Sequence, residues 1–145
     1  KAEQLLFVGF YFIRKLIENR KVTDACARGS VPIGRAQLSR GREVSDFMRY
    51  DLEKDLEAAE FSDVKVDVNQ LCDKIVHAWW CAPIQSVHGG LAGYIFTTDR
   101  KKNAELWFLP TKSIVDVFTS FGSDDIMSLK KARDAHGRLT FWQAE

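Results

Sequence analysis

The stretch Val66–Cys81, VDVNQLCDKIVHAWWC, constrains the fold of this chain most. Val68, Leu71, Cys72, Ile75, Val76, Trp79 and Trp80 recur at i, i+3, i+4, i+7 and i+8, so a helix would gather them on one broad stripe. Asp67 can cap the free N–H groups of the first turn. Gln70 follows three residues on as the return half of a capping box, and Val66 is placed to staple against Leu71. A stripe this wide needs covering on one side, which predicts a core helix. Pro83 bars its continuation, and a strand can begin as early as Ala78 and take both tryptophans with it.

The N-terminal run Leu5–Ile13 is also apolar, but far short of the ~20 residues that span a bilayer. It has the length of a signal h-region but little basic residue before it and no A-x-A pattern after it. Leu5, Gly9, Phe12 and Leu16 form one stripe, and Leu6, Phe10, Ile13 and Ile17 a second. Two stripes predict burial on two sides of a long helix reaching about Arg28, where Gly29 and Pro32 stop it. Such a helix lies between a sheet and a second helix, or its apolar excess is the contact surface of a homodimer.

From Gly29 to Glu43, Gly, Ser, Pro and Arg without a period predict a long loop or an irregular strand pair. Ser45 can cap a helix over 46–60 with Met48, Leu52, Leu56 and Ala59 inward, and Val64–Val68 alternates as a short strand. Ile84–Val87, Leu91–Thr98 and Ala104–Leu109 read as strands, the first two joined by the turn His88-Gly89-Gly90. Thr111 is placed to cap a helix carrying Ile114, Val115, Phe118 and Phe121, closed by Gly122. Ile126–Arg133 and Leu139–Gln143 flank the hairpin loop Asp134-Ala135-His136-Gly137. The order predicts one α+β domain over 1–145, with N-terminal helices packed on one face of a mostly antiparallel sheet of about five strands.

Composition narrows function by exclusion. The 145 residues, 46% apolar and 28% charged, carry a net charge of +1, which gives no whole-molecule drive toward nucleic acid or anionic lipid. Three cysteines (Cys26, Cys72 and Cys81) cannot all pair within the chain, so reduced thiols in a cytoplasmic protein are expected. Local charge is segregated: residues 14–42 hold eight basic side chains against two acidic, and residues 43–73 ten acidic against three basic. The segments either neutralise one another or leave an arginine loop for a phosphate backbone.

The chemistry-bearing candidates are few. On a continuous helix Asp73, His77 and Cys81 would stand on successive turns, a carboxylate orienting an imidazole beside a thiol. Cys72, His77, Cys81 and His88 have no CxxC or HxxxH pair to anchor zinc, so no metal is expected. No GxxxxGK[ST], GxGxxG or GxSxG occurs, and no cofactor is expected. Excess aromatics point to an apolar pocket between sheet and first helix, lined by Phe10, Trp79, Trp80 or Trp107. Arg35, Arg40, Arg42, Arg100, Lys101 and Lys102, near strands bearing Tyr94, Phe96 and Trp107, form an alternative set for RNA.

Two resemblances stand beside this reading. FYFIRKLIENRKVTDA, LCDKIVHAWW, LAGYIFTTDRKKNAELWFLP and SIVDVFTSFGSDD together resemble small bacterial proteins of the mobile gene pool, of the kind carried as integron cassettes. That group has no assigned chemistry to carry over. LCDKIVH is similar to the signature of the RNA-cleaving helical HEPN domains, in which an arginine precedes a histidine by four to six residues. Here those positions hold Leu71, Cys72 and Asp73, so the phosphate-stabilising arginine is missing. The expectation is a non-enzymatic binding or interaction protein, a homodimer with an apolar ligand or protein partner. The alternative is an RNA-binding or degenerate HEPN-like protein.

Overall fold

The structure is a computed structural model that describes residues 1–38, 59–102 and 104–145. Chain order is α1 (Ala2–Glu18), α2 (Asp24–Ala27), β1 (Ser30–Gln37), β2 (Ser62–Asp67), α3 (Val68–Val76), β3 (Ala78–Gln85), β4 (Leu91–Thr98), β5 (Glu105–Pro110), α4 (Thr111–Gly122), β6 (Leu129–Arg133) and β7 (Leu139–Ala144). The first five strands make one antiparallel sheet in the order β2-β1-β5-β4-β3, and β6–β7 is a separate hairpin. The fold is therefore α+β with helices on an antiparallel sheet, as expected. No helix among the described residues is long and apolar enough to cross a membrane.

The core fills the layer between the sheet and the helices. Leu6, Phe10 and Ile13 of α1 and Leu71, Cys72 and Ile75 of α3 meet Val31, Ile33, Phe96, Trp107 and Leu109 of the sheet. Alternation along each strand sends Ala36, Ile95, Thr97 and Leu106 to the reverse face, where they are also buried. Phe61 packs edge-on against Phe108 there, 6.1 Å between ring centres, over the gap left by Gly34.

The expected elements meet the structure unevenly. Asp67 does cap α3, its Oδ1 accepting from the Gln70 N–H at 2.7 Å. The helix ends at Val76, and Ala78, Trp79 and Trp80 open β3, because large aromatic side chains favour the pleated backbone and Pro83 forbids a longer helix. The expected single helix to Arg28 is two. Asn19 closes α1, and Arg20 takes φ 54°, a left-handed conformation. Arg20 N–H donates to Ile17 O and Lys21 N–H to Leu16 O, the paired bonds that terminate a helix with a residue usually glycine. With no glycine there, the sequence hides the stop.

Of the two expectations after Gly29, a long loop or an irregular strand pair, Ser30–Gln37 takes the strand form, as β1, an inner strand of the sheet whose partners are β2 and β5. Pro32 is tolerated because β1 pairs with β5 only from Gly34 to Gln37, so no ladder bond on that side is lost at residue 32. Strands β1 and β2 complete the five-stranded sheet, where the last hairpin had been expected to contribute. The helix expected over 46–60 lies outside the described residues except for Ala59 and Glu60, which are irregular. Thr111 does not cap α4: its Oγ1 donates to Leu91 O at 2.7 Å, and Pro110 holds the cap position. Gly122 is the last helical residue, with Ser123 rather than a left-handed glycine beyond it.

Candidate functional site

Asp73, His77 and Cys81 are not assembled. The Asp73 carboxylate lies 3.2 Å from Arg14 Nη1 of α1. His77 caps the C-terminus of α3, with Nδ1 3.9 Å from Asp99 Oδ2. Beyond His77 the chain is extended, so Cys81 stands roughly 13 Å further along instead of one helical turn. Burial pushes the Cys81 thiol up to about 12, and likewise Cys72, whose residue has no exposed surface. Neither is a thiolate at neutral pH. His88 is exposed in the β3–β4 turn, and among the described residues no group of three or more His, Cys, Asp and Glu is placed to hold a metal.

The four aromatic candidates do not line one pocket. Phe10 is 0% and Trp107 5% exposed, both within the packed core. Trp80 is half-buried on β3, and Trp79 is 60% exposed. Cavities lie elsewhere. One of about 220 Å³ sits between α2, β1 and α4, bordered by Cys26, Val31, Val117, Ser120 and Phe121. There the Cys26 Sγ is 3.5 Å from Ser120 Oγ, and desolvation raises the thiol. An open polar cleft of about 650 Å³ runs between Arg20, Arg28, Asp67, Asn69 and Trp142, with the Arg20 guanidinium 5.5 Å from the Trp142 ring centre. Sequence patterning had no signal for either, since their walls come from segments far apart in the chain.

Two surfaces are built more distinctively. The first is an apolar face on α1 and α4. Helical spacing places Leu5, Val8 and Phe12 on the side of α1 away from the core, with Leu5 71% and Phe12 62% exposed. Tyr11 stacks edge-on against Phe12 at 6.3 Å, and the Lys15 ammonium lies 5.6 Å over its ring. From α4, Phe118 reaches into the notch left by Gly9, where a β-carbon would stand 2.4 Å from its Cζ, and packs on Phe10 at 5.3 Å. Val115, one turn back, is exposed too, so the outer stripe of α1 continues onto α4.

The second surface is the corner where α3 ends, β3 and β5 begin, and β1 and β4 end. Arg35 and Trp107 face each other across β1 and β5. The Arg35 Nη2 donates to Glu105 Oε1 at 2.5 Å, and its guanidinium carbon lies 5.5 Å from the Trp107 ring centre. Above the same ring, Lys74 Nζ of α3 stands 3.9 Å from the centre. Desolvation pulls the Lys74 ammonium below the usual lysine range. Glu105 opposes this, while Arg35 and Lys101 add to it. The turn beyond β4 adds exposed Arg100 and Lys101, and Lys102 Nζ sits 4.3 Å over the ring of Trp79. Trp79 is the extra residue of a bulge, since Ala78 pairs with Thr98 and Trp80 with Thr97. Four of the six candidate basic residues, Arg35, Arg100, Lys101 and Lys102, thus share one corner with Lys74, which sequence reasoning missed because it pointed to a helix. Arg40 and Arg42 lie outside the described residues.

No protein-family model, no curated protein and no solved structure matches this chain.

Proposed function

We propose that the protein is a non-enzymatic binding protein that works as a homodimer, its copies meeting through the outer face of α1 and α4. The observation that carries this reading is the continuous exposed stripe of Leu5, Val8, Phe12, Val115 and Phe118. Patches of this kind on small proteins mark interaction sites, because leaving large apolar side chains in water has a free-energy cost that pairing removes. A second copy suits the stripe because it is self-complementary. Two α1 helices crossing antiparallel about an axis near Val8 and Gly9 set Leu5 of each copy against Phe12 of the other, with Phe118, which fills the Gly9 notch, part of the surface each copy presents. The high Cys72 and Cys81 thiols and the engaged Asp73 support a binding role over nucleophilic catalysis.

Sedimentation velocity tests this, with a dimer of the 16.5 kDa chain expected at tens of micromolar. Phe12→Glu should dissociate it. Each ring hides ~1.5 kcal/mol of apolar surface on pairing and the dimer contains two, so Kd rises roughly 100-fold or more. Val87→Glu, at a residue 95% exposed in the β3–β4 turn, should leave the dimer intact. A wild-type monomer at that concentration overturns the proposal.

A further inference from the structure

Beyond self-association, we infer that the corner formed by Trp79, Lys74 and the 99–102 turn binds single-stranded nucleic acid, with Trp79 as a stacking platform for a base. Three independent observations meet there.

The first is the bulge. A regular register would carry the strand through residue 79 with its neighbours paired on both sides. The inserted residue breaks the ladder at the start of an edge strand and turns a tryptophan into solvent. Bulges of this kind re-aim side chains and recur beside functional sites. Trp79 stays 60% exposed although Cys81 and Ala82 of the same strand are half-buried.

The second is charge. Arg35, Lys74, Arg100, Lys101 and Lys102 converge at this corner, against Asp99, Glu105 and the nearby Glu60. Glu105 is buried and taken up by Arg35, and Asp99 faces His77. Among the described residues, Lys74, Arg100, Lys101 and Lys102 form no ion pair, so the described part of this corner is basic. Desolvation is the main cause of the lowered Lys74 ammonium; Glu105 opposes it, and Arg35 and Lys101 add to it, which places both cations near Lys74.

The third is the arrangement of the two. Lys102 Nζ already lies 4.3 Å over the Trp79 ring centre, which places a cation beside the aromatic face on which a base would stack. A duplex would offer the charge but no free base for the indole; an anionic membrane would accept an exposed tryptophan among lysines but offers no planar partner to stack on it, and binding to vesicles separates the two. Single strands satisfy both features.

The test is fluorescence anisotropy of labelled 12-mers of uridylate and thymidylate with the full chain, at 50 and 200 mM salt. With three phosphate contacts from Arg100, Lys101 and Lys102, affinity should fall roughly 20-fold between these salts. Trp79→Ala should weaken binding roughly 5- to 150-fold, as losing one stacked base does. Because Trp79 is mostly exposed the variant should fold, and the doubly substituted Lys101→Ser, Lys102→Ser chain provides a second reading through a flatter salt dependence. Lys130→Ser with Lys131→Ser removes the same charge from the distant hairpin and should change nothing. The proposal is overturned if the hairpin variant weakens binding as much as the turn variant, if a duplex binds as tightly as the single strands, or if Trp79→Ala has no effect. Binding to phosphatidylserine vesicles without binding to either 12-mer overturns it equally.

Discussion

The notch between α1 and α4 gives a prediction whose sign depends on a neighbour. In an ordinary helix interior, replacing glycine by alanine stabilises by roughly 0.5–1 kcal/mol, because the unfolded chain loses freedom and the helix gains a better former. At Gly9 the added methyl would stand 2.4, 2.9 and 3.3 Å from three atoms of the Phe118 ring, so the ring must leave. Phe118 is already 36% exposed and can swing into water, which forfeits its contact with Phe10 at 5.3 Å and about half its buried surface. At ~25 cal/mol per Å² over the ~100 Å² re-exposed, plus ~0.5–1 kcal/mol for the aromatic pair, the loss is roughly 3 kcal/mol. Gly9→Ala should therefore destabilise by about 2 kcal/mol. In a Phe118→Ala background the obstacle is gone, and the same substitution should stabilise by ~0.5–1 kcal/mol. Urea unfolding of the four proteins at one fixed concentration measures the cycle. If Gly9→Ala has the same effect in both backgrounds, Phe118 does not occupy the notch and the packing of α4 on α1 is misassigned.

Further consequences follow for Cys72 and Arg20. Burial holds the folded Cys72 thiol at about 12, above its ordinary 9.0, so the unfolded chain loses that proton first as pH rises. Its contribution is complete below pH 9 and declines above it by about 1.4 kcal/mol per pH unit toward 12. The stability deficit of Cys72→Ala relative to the parent should thus shrink by about 2 kcal/mol between pH 7 and 10.5 in parallel denaturant titrations, and a constant deficit would contradict the burial of this thiol. Arg20→Gly should relieve the left-handed backbone and stabilise by ~0.5–1 kcal/mol in thermal unfolding, provided the Trp142 contact is weak. A loss of stability would show that the guanidinium over Trp142 outweighs the strain.

Sequence patterning found what local physics decides. The Asp67 cap, the inward faces of α1 and α3, the strands around Leu91–Thr98 and Glu105–Pro110 and the Gly137 turn at φ 77° all follow from spacing and turn chemistry. It missed elements whose state is set from outside. The segment holding Pro32 and Gly34 reads equally as loop or irregular strand pair, and it is β2 and β5 on either side that make it strand. Arg20 reads as helical, yet burying Val22 against the core requires the chain to turn there. The site residues divide in the same way. His77 and Cys81 look like helix neighbours only until the strand begins at Ala78, while Lys74 and Trp107, 33 positions apart in the sequence, meet only because α3 crosses β5.

The two outward surfaces have a common origin in how this small sheet is closed. The helices cover one face, and α1 is wider in apolar residues than the sheet beneath it can bury, so its second stripe stays outside and continues onto α4 where Phe118 fills the Gly9 notch. At the other extreme β3 is an edge strand, and an edge with free backbone groups invites uncontrolled pairing. Pro83 and the Trp79 bulge both interrupt that edge, and the turn lysines surround its start with charge. The protection against strand pairing is thus the same construction that presents Trp79. None of the corner residues belongs to the α1–α4 stripe, so pairing through that stripe leaves both corners of a dimer free. If the copies pair and the corner binds single strands as proposed, two corners on one particle would engage a long strand as a linked pair, and the second contact would be intramolecular, strengthening binding without any new residue.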